Sequence, residues 1–167
     1  MFDPAERGVR GAWKVGRLLA WLARPAPWNP GWNAPQRGAW GEAWARWHYF
    51  HHRGAAILTS NWRGGGGEID FVAREGPLLV FVEVKVRDAR DPEPLAAVRA
   101  APRRRRFREA AEAYVRRLPR PRPAYRFDVV LVTPVPETPR RPHLNCLVDV
   151  FAGDQEGPDT LSPNSGG

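Results

Sequence analysis

The order of hydrophobic patterns predicts an α/β domain with a central mixed β-sheet flanked by α-helices. Three observations predict it. A Trp-rich stretch with helical spacing precedes three short runs rich in Val, Ile and Phe; a long amphipathic stretch follows; two further apolar runs close the domain. Strands joined by short turns pair antiparallel, whereas a strand reached through a long helical crossover pairs parallel, so the sheet should contain both kinds of ladder.

The first helix is expected over Arg37–Arg53. Ala39, Trp40, Ala43, Trp44 and Trp47 lie near helical spacing, and Gly54 suits a C-terminal cap. On this reading Glu42 falls in the first turn, where a carboxylate complements the helix dipole. His48 and His52 are one turn apart, but no third ligand lies near them in sequence, which makes a solvated helix end the plainer reading than a metal site.

A first strand is expected over Ala55–Asn61, followed by Trp62, Arg63 and four consecutive glycines, Gly64 to Gly67. The glycines can form a flexible loop that lets a sugar-phosphate backbone approach closely, or a plain turn. Arg63 is a candidate phosphate contact, and Trp62 either stacks on a base or caps the core.

The stretch from Gly67 to Arg87, GEIDFVAREGPLLVFVEVKVR, reads as two strands and a turn. Alternation puts Leu78, Val80, Val82, Val84 and Val86 on one face of the second strand, and Leu79, Phe81, Glu83, Lys85 and Arg87 on the other. In the first strand Ile69 and Phe71 are expected on one side, Glu68 and Asp70 on the other. A hairpin of the two brings Asp70 close to Glu83 and Lys85. Two carboxylates and an ammonium at the edge of an apolar core form a candidate site for Mg²⁺ (or Mn²⁺), a hard cation that takes one or two carboxylates and completes its shell with water and substrate phosphate. Such a cation lowers the pKa of a bound water, which Lys85 can orient. The alternative is a structural salt bridge at a strand end. Of 26 basic residues only Lys14 and Lys85 are lysines, so an arginine-rich composition makes an exception at the centre of this candidate site.

A long helix is expected over residues 94–118, with Phe107, Ala110, Ala111, Tyr114, Val115 and Leu118 as its buried face. Arg103, Arg104, Arg105 and Arg106 wrap its first half and cannot all face one ligand. Arg103, Arg104 and Arg106 are candidate phosphate contacts together with Arg63 and Arg87; a solvated surface is the alternative. Tyr125–Thr133 and Asn145–Phe151 are the closing strands, and Asp128 either pairs with an arginine or stands near the site.

The chain thus divides into a Trp/Pro-rich extension (1–36, expected to be partly disordered), one domain (37–151) and a polar, disordered tail (152–167). The apolar run Trp13–Ala23 is far shorter than the ~20 residues of a membrane span. The extension is either a membrane-surface or partner-binding arm, or a segment that is mobile or packs its tryptophans on the domain. A net charge of +8 and a pI near 10.9 favour a polyanion, nucleic acid first and an anionic membrane surface second. One cysteine, Cys146, excludes an internal disulfide framework and a cysteine-rich zinc site. With no secretory signal recognisable, the expected compartment is cytoplasmic.

The segments GEAWARWHYF, ILTSNWR, GEIDFVA, VFVEVKVR and YRFDVVLV, in that order over roughly residues 38–151, resemble the YraN-like family of small bacterial proteins. An aspartate followed by Glu-x-Lys after an apolar run resembles the PD-(D/E)xK signature of restriction-endonuclease-like nucleases, and the family is similar to archaeal Holliday junction resolvases. The resemblance implies the restriction-endonuclease-like version of the α/β fold and a catalytic cluster at Glu42, Asp70 and Glu83, with Lys85 as its lysine. It implies Mg²⁺-dependent hydrolysis of phosphodiesters in DNA, branched or structured. Cutting of junctions would suit a homodimer, since paired incisions suit two-fold symmetry. The alternative is a non-catalytic nucleic-acid-binding module on the same fold.

Overall fold

The computed structural model describes residues 23–87 and 101–151, without the side chains of residues 101–103. Helix α1 spans Ala34–His52 and begins one turn earlier than the tryptophan spacing suggests. Its start is set by a reciprocal cap: the Asn33 side chain accepts from the Gln36 N–H at 3.0 Å, and the Gln36 side chain accepts from the Asn33 N–H at 3.0 Å. Pro35 in the first turn costs nothing, because N–H groups there have no intrahelical partner. Gly54, at φ +64°, ends the helix as expected.

Strands β1 (Ala56–Gly64), β2 (Gly67–Glu75) and β3 (Leu78–Val86) follow, then helix α2 (Ala101–Val115) and strands β4 (Tyr125–Thr133) and β5 (His143–Leu147). They form one five-stranded sheet in the order β1-β2-β3-β4-β5. Every ladder is antiparallel except β3–β4, which is parallel in the register Val82 opposite Asp128 and Lys85 opposite Leu131. The mixed sheet and the parallel pairing across the helical crossover match the expectation. The last strand lies earlier than Asn145–Phe151, because it pairs from His143 opposite Thr133 to Leu147 opposite Val129, after which Asp149, at φ +48°, breaks the ladder although the Val150 N–H still donates to the Phe127 carbonyl at 2.8 Å. Residues 94–100 of the expected long helix, residues 1–22 and the tail 152–167 lie outside the described residues.

Each face of the sheet has its own core. On one side Trp40, Trp44 and Tyr49 of α1 pack on Phe71, Val80, Val82, Val84, Val130 and Val132. On the other, Phe107, Ala110, Ala111 and Val115 of α2 pack on Ile69, Val72, Leu79, Phe81 and Phe127. The two faces read from β3 are therefore the two cores. Gly41 lets α1 lie close on the sheet, since a Cβ there would come within 2.2 Å of Val86 Cγ2. Trp28 and Trp32 of the extension stack against Trp40 with ring centroids 4.8 and 6.4 Å apart, and the Trp40 indole N–H donates to the Ala26 carbonyl at 3.0 Å. This described part of the extension packs its tryptophans on the domain. No helix among the described residues is long and apolar enough to cross a membrane.

Asp128 is fully buried and answers the question left open for it by pairing with an arginine. Its carboxylate accepts from Arg126 Nε at 2.9 Å, the Tyr49 hydroxyl at 2.8 Å and the Asp149 N–H at 2.9 Å. Arg126 also binds Glu75 at 2.7 Å, and Glu75 binds Arg53 at 2.6 Å. A buried charge with this many donors is satisfied, and it ties α1 to the middle of the sheet.

Candidate functional site

The site arises where two ladders part. The β2–β3 register runs from Glu75–Leu78 to Phe71–Val82 and stops. The β1–β2 ladder continues to Gly67–Gly64, and the β3–β4 ladder to Val86–Val132. Beyond Phe71 the β1–β2 hairpin therefore leaves β3, and Asp70 and Glu83 are the next residues on either side of the opening. With the backbone ladder ended, the Asp70 side chain takes its place: its Oδ2 accepts from the Val84 N–H at 2.6 Å.

Alternation breaks at the same point, which corrects the expectation that Ile69 and Phe71 share a face. Ile69 packs with the α2 core and Phe71 with the α1 core. Opposite Asp70, Asn61 adopts φ +54°, in the left-handed region that Asn tolerates better than other non-glycine residues. The local irregularity lets Asp70 turn toward β3 rather than alternate outward.

The opening is a cleft of about 1000 Å³ lined by Asp70, Glu83 and Lys85 of the strands, Arg63 and Glu68 of the hairpin, and Arg106 and Phe107 of α2. The side chains of Glu83 and Lys85 are only 13% and 18% exposed, and Lys85 Nζ is ion-paired with Glu83 Oε1. Burial, followed by the charge of Glu83, pushes the Asp70 carboxyl up to about 7, against the opposing effects of the Val84 hydrogen bond and Lys85. The negative charge that Asp70 would carry is under-compensated.

Glu42 is in the third turn of α1, not its first, so the helix-dipole reading does not apply to it. It lies outside the cleft lining and pairs with Arg46 at 3.1 Å, although its charge adds to the upward push on Asp70. Among the described residues no three His, Cys, Asp or Glu side chains converge as a ligand set. Asp70 and Glu83 supply two carboxylates, a donor set that fits a cation of the Mg²⁺ type, which keeps water and substrate oxygens in its shell, and not a fully protein-enclosed ion.

The basic candidates separate. Arg63 and Arg106 line the cleft. Arg63 is 77% exposed and pairs with Glu68 at 3.2 Å. Arg104 instead lays its guanidinium over the Phe151 ring at 5.2 Å. Arg87 lies outside the cleft lining; its backbone N–H continues the sheet by donating to Val132 at 2.9 Å, and its Nε is buried with no hydrogen-bond partner among the described residues. The side chain of Arg103 lies outside the described residues.

The glycine run is a tight hairpin turn. Gly65 and Gly66 have φ +59° and +78°, as a two-residue turn between paired strands requires, and Gly64 pairs with Gly67. A Cβ on Gly65 would lie 2.3 Å from the Glu109 carbonyl oxygen, and one on Gly67 2.1 Å from that of Arg106. The Trp62 indole N–H donates to the Ala110 carbonyl at 3.1 Å, so Trp62 fastens the hairpin to α2. Sequence reasoning did not single out Glu68 or Phe107 as cleft residues. Glu68 was legible as the neighbour of Asp70, whereas Phe107 reads only as core, since its position under the cleft depends on how α2 crosses the sheet.

The model of the uncharacterised protein family UPF0102 matches residues 41–132, a span that contains Glu42, Asp70, Glu83 and Lys85 and strands β1 to β3 entire. A UPF0102 protein of Roseiflexus castenholzii is 40% identical over 98 residues, which is 58% of this chain and 77% of that protein. One of Symbiobacterium thermophilum is 46% identical over 85 residues, 50% of this chain and 71% of the relative. One of Solibacter usitatus is 42% identical over 86 residues, 50% of this chain and 65% of the relative. The match takes in more than half of the chain and both strands that bear the carboxylates, and the chain belongs to the uncharacterised protein family UPF0102.

Proposed function

We propose that the protein is a metal-dependent endonuclease that hydrolyses phosphodiester bonds in nucleic acid, DNA in the first instance. The observation that carries the reading is the meeting of Asp70, Glu83 and Lys85 at the parting of β2 from β3, inside a cleft whose walls bring Arg63 and Arg106. Structural ion pairs neutralise each other, whereas here Asp70 lies beside the charge of Glu83 and is held toward its neutral form even with Lys85 close by. Asp70 and Glu83 would hold a Mg²⁺ or Mn²⁺ ion, which when bound supplies charge neutralisation and an activated water.

Lys85, anchored by Glu83, presents its ammonium at the cleft floor, where it can donate to a water or a phosphate oxygen. The Val84 N–H fixes the Asp70 carboxylate in orientation. Arg63 and Arg106 place positive charge where a polyphosphate strand would enter. Glu42 contributes through its field at Asp70.

A second reading, a non-catalytic nucleic-acid-binding module on a nuclease-like fold, is favoured by the Lys85–Glu83 pairing, which satisfies both groups without a ligand. One experiment separates them. Calorimetric titration with Mg²⁺ and Mn²⁺ is combined with a cleavage screen over duplex, junction, flap and RNA substrates, for the parent and for Asp70→Asn and Glu83→Gln. The nuclease reading expects weakened metal binding and lost cleavage in both variants. Metal affinity unaltered in both would remove the assignment of the site.

A further inference from the structure

We infer that the cleft takes a single, unpaired nucleic-acid strand and excludes intact duplex, with the β1–β2 hairpin tip as the fixed wall that discriminates. The inference rests on the nucleic-acid reading of the same cleft and names the form of substrate that it admits.

The first observation is depth. The Glu83 and Lys85 side chains are mostly covered, and Asp70 is pinned to the backbone of β3, so a phosphate must descend into the cleft to meet them. The second is capacity. The cleft holds about 1000 Å³, which is at the upper end of pockets for compact ligands, roughly 300–1,000 Å³, and has room for a few nucleotides of one strand. A base-paired duplex carries its phosphates on the outside of a far wider cylinder, with a partner strand that would meet the walls before a phosphate reached the floor.

The third observation is that the wall cannot swing aside. The backbone of Gly65 and Gly67 lies directly on the carbonyls of Glu109 and Arg106, closer than any side chain would permit, and the Trp62–Ala110 hydrogen bond fastens the same hairpin two residue pairs further back. The Trp62 ring is held in turn between Tyr114, at 5.2 Å, and the Arg117 guanidinium, at 4.7 Å. Widening the cleft would mean peeling the hairpin off α2 and exposing the core beneath it. Arg63 on the hairpin and Arg106 on the helix flank the entrance from two elements, an arrangement suited to one backbone threaded between them.

The test measures binding by fluorescence anisotropy in EDTA, on the full chain, so that cleavage plays no part. The probes are a fluorescein-labelled oligodeoxynucleotide, the same strand in a duplex, and a duplex with an unpaired flap. The single strand and the flap should bind at least about ten-fold more tightly than the blunt duplex. Arg63→Ala with Arg106→Ala should erase that preference. A charge-matched pair of exposed residues outside the cleft lining, Arg116→Ala with Arg140→Ala, should lower all affinities alike and keep it. Melting curves show that each variant is folded.

Duplex binding as tight as single-strand binding overturns the inference, as does a preference that survives loss of Arg63 and Arg106. A clear single-strand preference with no cleavage of any probe after Mg²⁺ or Mn²⁺ is restored supports the inference and counts instead against the nuclease reading.

Discussion

Asp70 Oδ2 accepts the Val84 N–H at 2.6 Å, across the point where β2 and β3 cease to pair. A side chain thereby completes a backbone ladder, and the same carboxyl sits beside Glu83 in a poorly hydrated position. In the metal-free protein this has a pH signature. The folded state holds the Asp70 proton up to about pH 7, whereas the unfolded chain releases it near the ordinary aspartate value. Between those values the native state binds more protons, so this group's contribution to stability falls as pH rises through 7. Asp70→Asn keeps an acceptor for Val84 and carries no charge. In EDTA it should melt above the parent at pH 8 by a margin on the order of 2–4 kcal/mol and lose that advantage toward pH 4. Thermal melts at the two pH values check it; a parent whose stability does not fall between them would place Asp70 in a better-solvated setting.

Lys85→Arg separates charge balance from chemistry. An arginine can still pair with Glu83, so the melting temperature should stay within a few degrees. The broad guanidinium cannot reproduce the position of a compact ammonium beside two carboxylates, and displacement of about 1 Å can lower a rate on the order of 100-fold. Cleavage rate and melting temperature are measured together on a substrate that the parent cuts. Full activity in the arginine variant would shift the balance toward the binding module.

The glycine hairpin should show an uneven response to alanine. At Gly66 there is open space and only the left-handed backbone to strain, a cost of about 1–2 kcal/mol. At Gly67 the added methyl meets the Arg106 carbonyl oxygen at 2.1 Å, and the hairpin must lift from α2, at about 3 kcal/mol or more. Urea denaturation of both variants gives the comparison. Equal costs would mean that the hairpin is free of the helix.

Arg104 and Arg106, two residues apart on α2 and so on different faces of it, are expected to differ in salt dependence of nucleic-acid binding. Arg106→Ala should flatten the slope of log affinity against log salt by about one phosphate contact. Arg104→Ala should leave the slope near its parent value and instead lower the melting temperature, because that guanidinium covers the Phe151 ring. Binding isotherms at several salt concentrations decide between them.

Asp128 tests the frame and not the cleft. Its replacement by alanine strands the Tyr49 hydroxyl and the Asp149 N–H and leaves Arg126 with Glu75 alone as its carboxylate among the described residues. The expected loss is about 3–5 kcal/mol of stability, read from urea denaturation. A cost near zero would show that water or a neighbouring carboxylate replaces it.

Local pattern determined most of the fold. Alternation along β3 assigned Val80, Val82 and Val84 to one core and Leu79 and Phe81 to the other, and helical spacing picked out Phe107, Ala110, Ala111 and Val115, because burial on a strand or a helix recurs with the period of that element. The same alternation put Glu83 and Lys85 side by side, and a hairpin of fixed register left Asp70 facing them. Tertiary structure decided what period cannot express. The start of α1 followed a reciprocal side-chain cap at Asn33 and moved Glu42 out of the first turn. Ile69 and Phe71 went to different cores because the ladder breaks at Asp70, opposite Asn61 in a left-handed conformation. The four glycines read alone as an open loop or a turn; the nearness of two α2 carbonyls made them a closed wall. Arg104 and Arg106 look alike in sequence, and only the way α2 lies across the sheet sends one to Phe151 and the other to the cleft. Periodicity is a property of a single element, whereas a cleft exists only where separate elements meet. Its depth and walls were therefore fixed by contacts between residues distant in the chain.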